Sequence, residues 1–385
     1  MHTLLGALLW LLVVPAQGQL VDVHVQPYDR LTAFAFQAMG DEVAVTSTDS
    51  FPIVYLRLKA LDRVEVQNEE DGVRLLHNGT SLGIFPALLF WVNDPVPRFK
   101  VSPTRGKGTP REYPGHLLVR PGARGVTLVN RVHLEDYVRG VIHAEAGHHR
   151  TLDFYKVQAL SARTYALRSI GRHGKSGHDL CDNTHCQVFR GTIPANPLLE
   201  QAVEETRGEV IVHGDHHLVE AVFSANCGGY TANSEDVWIS QVSYLRAVND
   251  YDFCEGFSNH AWHLTIPKID FLARLGQYFK VEARSFEILP DESGRVREIF
   301  VNEDRSLTIS GEEIRSLFRL KSSKFHVYDA NTLLFVEGHG FGHGVGMCQD
   351  GAYFLSRMGM DYERIIKHYY RDVEIMPLDR LPDVQ

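Results

Sequence analysis

Residues His133 to Ile170 read HLEDYVRGVIHAEAG, then HHRTLD, then FYKVQALSARTYALRSI. In the first segment Leu134, Val138, Val141, Ile142 and Glu145 follow one another at spacings of 4, 3, 1 and 3, so they share one face of a helix. Four are apolar and the fifth is a carboxylic acid. A glutamate that continues an apolar stripe is expected against packed surface, and Gly147 suits the position just past the helix end. Glu145 then sits in the last turn, where desolvation and the negative end of the helix dipole both favour its protonated form. A general acid working near neutral pH needs that shift. The competing reading is a glutamate turned to solvent at a helix end. In the second segment Ala159, Ala162 and Ala166 form a flat face that allows close helix packing, so the two helices are expected to make one rigid unit.

Outward from this pair, the composition is that of an ordinary globular protein. The chain has 385 residues, 44% hydrophobic and 23% charged, with a formal net charge of −9 and no basic run. A sequence-independent nucleic-acid binder needs a basic stripe, so that class is discounted. Leu4 to Val14 is an apolar run followed by Ala16 and Gly18 in a small-x-small pattern, which reads as a signal peptide over residues 1–18. The expected location is therefore exported: periplasmic, wall-associated or secreted. Membrane attachment would require the signal to stay uncleaved, and the run is short for a spanning helix.

Residues 19–112 alternate apolar and polar positions over short runs such as LVDVHVQ, EVAVTS, IVYLRLK and VRLLHN, as expected of a β-rich module. Residues 113–385 hold the helix pair and the chemical motifs. Within them, 263–336 has strands, a helix near Asp270–Phe279 and a capped helix near Ser310, which suggests an inserted α+β subdomain. The expected fold class is α+β, with a central helix pair packed on mixed and antiparallel β structure. Two helices, GAYFLSRMG and YERIIKHYY, end the chain.

Just after the helix pair, His173, His178, Cys181, His185 and Cys186 fall within fourteen positions of a glycine-rich loop. Such spacing matches tetrahedral zinc ligation, and four protein ligands would make a closed, structural site. A disulfide between Cys181 and Cys186 is the alternative. Of the other cysteines, Cys227 and Cys254 could pair, leaving Cys348 buried or free. Farther on, Gly338, Gly340, Gly342, Gly344 and Gly346 alternate with His339, Phe341, His343, Val345 and Met347. If the stretch is extended, one face is bare backbone, and His339 and His343 lie ~13 Å apart. Glycine at this density implies close approach of another backbone or a ligand.

LEDYVRGVIHAEAG, VQALSARTYALRS, CDNTHCQVFRG, FSANCGGYTANSEDVW and GHGFGHGVGMCQDGAYFLSRMGMDYERIIKHYY together resemble the SpoIID/LytB family of stage II sporulation protein D lytic transglycosylases and amidase enhancers. The likeness runs from near Tyr113 to Ile375. It implies cleavage of peptidoglycan glycan strands between N-acetylmuramic acid and N-acetylglucosamine, with Glu145 as the catalytic acid; Ala146 and Gly147 replace the usual Met and Pro after it. It also implies a zinc loop of Cys181, His185 and Cys186 completed by His173 or His178, and a glycine–histidine strand along the active-site groove. Only one carboxylate stands out in these motifs. A transglycosylase can work with one, because the sugar's own C6 hydroxyl attacks the anomeric carbon. Tyr230, Thr231, Gly342, His343 and Gly344 are the candidate substrate-positioning residues. The alternative is a noncatalytic, wall-binding partner of a cell-wall amidase.

Overall fold

The computed structural model describes residues 19–94, 96–238 and 240–381. The apolar N-terminal run read as a signal lies outside the described residues. The protein is α+β and divides into two compact units. One comprises the chain up to Tyr137 together with Lys175–Asp179, and the other Val138–Gly174 with 180–385.

The first unit is built from two antiparallel sheets. One places Leu20–His24 beside Thr127–His133, followed by His116–Arg120, Leu88–Asn93, Glu42–Thr46 and Val54–Lys59. The other runs Arg111–Pro114, Arg98–Arg105, Ala33–Ala38, Arg63–Glu69, Gly72–His77, Thr80–Phe85. The period-2 pattern puts one face of each strand inside. Phe36 of the second sheet stacks on Phe90 of the first, with centroids 4.3 Å apart, and on its own sheet neighbour Phe99 at 5.5 Å. Register is pinned across the first strand pair by a two-pronged contact of Arg131 with Asp22, both bonds 2.8 Å.

Helix α1 (Leu134–Ala146) ends at Gly147, whose φ of +73° is the left-handed stop expected there. Helix α2 (Leu152–Arg168) starts at a Thr151 cap and is buried from Phe154 to Leu167 except at Lys156. A helix buried all round needs small or well-partnered residues on every face. The alanines supply the first kind. Arg163 and Thr164 supply the second: Arg163 Nη1 donates to the Glu209 carbonyl at 3.0 Å, and Thr164 Oγ1 accepts from the Ile211 amide at 2.9 Å. Both bonds tie α2 to Glu209–His213, the central strand of a sheet with His217–Leu218 and Val373–Pro377.

Helix α3 (Pro197–Glu205) packs on α2, and two single turns follow, α4 (Ser234–Val237) and α5 (Tyr251–Cys254). Between Ala261 and His339 lie two three-stranded sheets with helices α6 (Lys268–Phe279) and α7 (Gly311–Phe318). They enclose a core of their own around Phe271, Leu275, Ile299, Ile314 and Leu334. Helix α7 opens with the reciprocal Ser310–Glu313 capping box that the sequence pattern predicts. Helices α8 (Gln349–Arg357) and α9 (Tyr362–Tyr369) complete the unit against α2.

Candidate active site and metal-binding loop

Glu145 occupies the last turn of α1 and is half-buried, not turned out to water. Its position follows from a glycine five residues earlier. A methyl group on Gly140 would overlap the ring of Phe189, lying 2.6 Å from Cδ2. The missing side chain lets the fully buried Phe189 lie directly on the helix. That contact lays Gln187–Arg190 along α1, and the Val188 amide donates to Glu145 Oε1 at 2.7 Å. Burial pushes the Glu145 carboxyl above its ordinary range, while the Val188 amide and the Arg190 cation pull against that shift.

Glu145 and Ala146 line a small cavity of about 80 Å³ with Arg150, Phe154, Ala225, Asn259, Gln349 and Asp350. This volume holds a hydroxyl or hydroxymethyl group but no sugar ring. The cavity also contains a second carboxylate that the motif reading passed over. Asp350 lies in the first turn of α8, 8% exposed, and its Oδ2 accepts from Asn226 Nδ2 at 3.0 Å. Burial raises its pKa too, against the hydrogen bond from Asn226 and the charge of Arg150. Beside it, Gln349 Nε2 donates to Gln158 Oε1 of α2 at 3.2 Å. Both residues stand inside the quoted motif GMCQDGA. Their signal was the step from a glycine-rich run into a helix, which points the first polar side chains of that helix at whatever faces its N-terminus.

The loop after α2 gathers His173, Cys181, His185 and Cys186. Their donor atoms all lie within 4.8 Å of one another. Cys181 Sγ is 3.6 Å from His173 Nε2, 3.5 Å from His185 Nδ1 and 3.6 Å from Cys186 Sγ; Cys186 Sγ is 3.4 Å from His173 Nε2. A tetrahedral ion with bonds of roughly 2.0–2.3 Å requires donor–donor edges of about 3.3–3.8 Å, so the four residues fit a zinc ion. The cysteines are free thiols, not a disulfide. His173, and not His178, completes the set. His178 lies outside it, with its ring 4.8 Å from that of His24.

The glycine-rich stretch departs from the extended form considered for it. The strand Leu333–His339 ends at His339, and Gly340, Gly342, Gly344 and Gly346 all have positive φ, between +72° and +110°. Each makes room for neighbouring protein atoms. A methyl group would lie 2.7 Å from the Asn226 carbonyl at Gly340 and 2.7 Å from Ser224 Cβ at Gly342; at Gly344 it would overlap the Arg295 guanidinium. The close approach that the sequence implied is therefore between segments of the chain itself. His343 is held by two main-chain contacts: Nε2 donates to the Phe223 carbonyl at 3.0 Å, and Nδ1 accepts from the Val345 amide at 3.1 Å. Burial lowers its pKa to about 4. Thr231 is fully buried, and its Oγ1 accepts from the Val248 amide at 2.7 Å. Tyr230 is 37% exposed. None of the candidate substrate-positioning residues Tyr230, Thr231, Gly342, His343 and Gly344 lines the cavity beside Glu145.

The SpoIID family model, described as stage II sporulation protein, matches residues 123–213, which hold Glu145 and all four loop donors. An uncharacterized protein of Brachyspira hyodysenteriae is 32% identical over 285 residues, covering 71% of this chain and 76% of its own. Stage II sporulation protein D of Bacillus subtilis is 28% identical over 267 residues, 65% of this chain and 76% of its own. The amidase enhancer of Bacillus subtilis is 26% identical over 288 residues, 60% of this chain and 39% of its own. These likenesses are far longer than the matched segment, and they identify the chain as a member of the SpoIID/LytB family.

Proposed function

We propose that this protein works on the bacterial cell wall as a peptidoglycan lytic transglycosylase, cutting glycan strands between N-acetylmuramic acid and N-acetylglucosamine. The observation that carries the reading is Glu145: a half-buried carboxyl at a helix end, its pKa raised by burial and its Oε1 fixed by the Val188 amide at 2.7 Å. In this mechanism Glu145 protonates the leaving glycosidic oxygen. As carboxylate it then takes the proton of the muramic C6 hydroxyl, which attacks the anomeric carbon and gives a 1,6-anhydro product. The small cavity beside Glu145 suits a hydroxymethyl-sized group, while the sugar rings lie on the surface around it. Glu145 alone is given a chemical step in this mechanism, and Asp350 forms part of the cavity wall beside it. Among the candidate substrate contacts, Tyr230 keeps an exposed ring for stacking on a sugar.

His173, Cys181, His185 and Cys186 would hold a structural zinc ion, which supplies cross-linking of the loop and no chemistry on the substrate. The loop leads within two residues to Val188, so an ordered loop keeps the Glu145 amide partner in place. Treatment with a chelator is expected to remove the metal, unfold this segment and abolish activity together. Activity lost while the fold stays intact would instead indicate a catalytic metal.

The deciding experiment incubates the purified protein with glycan strands, with and without stem peptides. Anhydromuramic products that disappear in Glu145→Gln support the enzyme. A second reading follows from the relative named amidase enhancer: an exported wall-binding protein that stimulates a cell-wall amidase without cutting glycan. Strands that are bound but unchanged, with amidase activity raised on addition of this protein, would establish that reading.

A further inference from the structure

A second cluster of metal-ligating side chains lies away from the loop. Cys227, Asp250, Cys254 and Cys348 are all buried, and their donor atoms lie within 4.8 Å of one another. Cys227 Sγ is 3.7 Å from Cys254 Sγ and 3.3 Å from Asp250 Oδ2. These are the edge lengths of a tetrahedron around an ion with bonds of roughly 2.0–2.3 Å. The residues come from three separate segments: the turn after Phe223–Ser224, the single-turn helix α5, and the N-cap of α8.

Two further observations point to a bound cation. The first is the set of amides aimed at sulfur. Cys227 N–H and Gly351 N–H donate to Cys348 Sγ at 3.3 and 3.4 Å, and Gly229 N–H donates to Cys254 Sγ at 3.2 Å. Donors converging on sulfur favour the thiolate over the thiol, and thiolate is the form that binds metal. The second is charge. Arg295, 1% exposed, spends its guanidinium on carbonyls and a hydroxyl: Nη2 on the Cys227 carbonyl at 2.6 Å, Nη1 on the Tyr230 carbonyl and Ser293 Oγ, both 2.8 Å. Lys324 Nζ donates to the Gly228 carbonyl at 2.8 Å. Two cations on the Cys227–Tyr230 turn call for net negative charge nearby. Asp291 and Glu312 supply part of that charge, and three thiolates, one carboxylate and a divalent ion, with a formal charge of about −2, add to it beside Cys227.

We propose that Cys227, Cys254, Cys348 and Asp250 form a second zinc site, which binds the ion with release of the thiol protons to solvent. Its place in the fold gives it a task. Cys348 caps α8 directly before Gln349 and Asp350 of the cavity beside Glu145, and Asn226, next to Cys227, holds Asp350. The ion therefore clamps the floor of that cavity from behind.

The test uses the full chain. Metal content is measured after gel filtration in wild type, Cys181→Ser/Cys186→Ser and Cys227→Ser/Cys348→Ser. The expected result is about two zinc ions per chain in wild type and about one in either variant. If the loop site takes no metal, wild type and the Cys181→Ser/Cys186→Ser variant both bind about one, which separates the two sites. Cobalt added to the Cys181→Ser/Cys186→Ser variant should give an intense sulfur-to-cobalt charge-transfer band. Should the variants fail to fold, alkylation of wild type mapped by mass spectrometry decides the matter: zinc should protect Cys227, Cys254 and Cys348. Equal alkylation with and without zinc, or a Cys227–Cys254 disulfide in unreduced protein, overturns the proposal.

Discussion

Adding one methyl group to α1 tests whether Phe189 really sets the environment of the acid. In Gly140→Ala the new carbon would overlap the Phe189 ring, with Cδ2 only 2.6 Å away. Ordinary carbon contact is about 3.5–4.0 Å, so the ring must withdraw by about 1 Å. Phe189 is fully buried, so a shift of its ring must displace the neighbours packed on it. Overpacking of this kind costs about 1–3 kcal/mol. Alanine in place of glycine inside a helix returns about 1 kcal/mol. A shift of about 1 Å also stretches the 2.7 Å Val188–Glu145 bond past useful length, at a further cost of about 0.5–1.5 kcal/mol. The clash wins, and urea denaturation should show a net loss of about 2 kcal/mol. The same shift removes one of the two influences that hold the Glu145 pKa down, so the alkaline limb of the activity profile should move to higher pH. Phe189→Leu added to Gly140→Ala should recover part of both effects. A Gly140→Ala protein more stable than wild type, with an unmoved pH profile, would mean that helix propensity alone governs the position and that Phe189 does not place the Val188 amide.

Glu145 also gives a pH dependence of unusual sign for a carboxyl. Its folded pKa is raised, so its contribution to stability is full at low pH, below the ordinary carboxylate value, and is lost as pH rises through the folded value. Denaturation midpoints of Glu145→Gln should therefore gain on wild type between acid and neutral pH; a difference that shrinks over that range would contradict the raised pKa. For Asp350→Asn, the buried neutral replacement should leave folding within about 1 kcal/mol of wild type, since the native acid is itself pushed toward its uncharged form. A loss of glycan cleavage as large as that in Glu145→Gln would make Asp350 a partner in the chemistry instead of a wall of the cavity. Gly344→Ala should lose about 2–4 kcal/mol, because alanine both strains a φ of +80° and overlaps Arg295. Thermal melting at the wild-type temperature would refute that.

The features legible in the sequence are those set by local periodicity and by ligand chemistry. The spacing from Leu134 to Glu145 with Gly147 behind it specifies a helix end, and the helix end specifies a half-buried acid. The crowding of His and Cys from His173 to Cys186 specifies four converging donors, although only the fold chooses His173 over His178. The glycine-rich stretch was harder, because period 2 reads as a strand while four positive φ angles make it a winding ribbon. Alternation records which positions lack side chains and carries no sign of φ. Asp350 was missed because its environment comes from Asn226 and Arg150, both more than a hundred residues away in sequence. Cys227, Cys254 and Cys348 likewise look like leftovers until tertiary structure brings them into one place.

The segment between Ala261 and His339 leaves and re-enters the chain at directly paired positions of one antiparallel ladder. Adjacent stems and a private core give it the look of a cassette, the sort of insertion that can change length or sequence without disturbing its host. Arg295 and Lys324 forbid that freedom here. Both belong to the cassette, and both reach back to the main chain of Cys227 and Gly228. A chimera that exchanges the segment for a plain hairpin would keep the backbone continuous yet strip two cations from the host. Transplants into this position should therefore succeed only when they carry equivalents of that arginine and lysine.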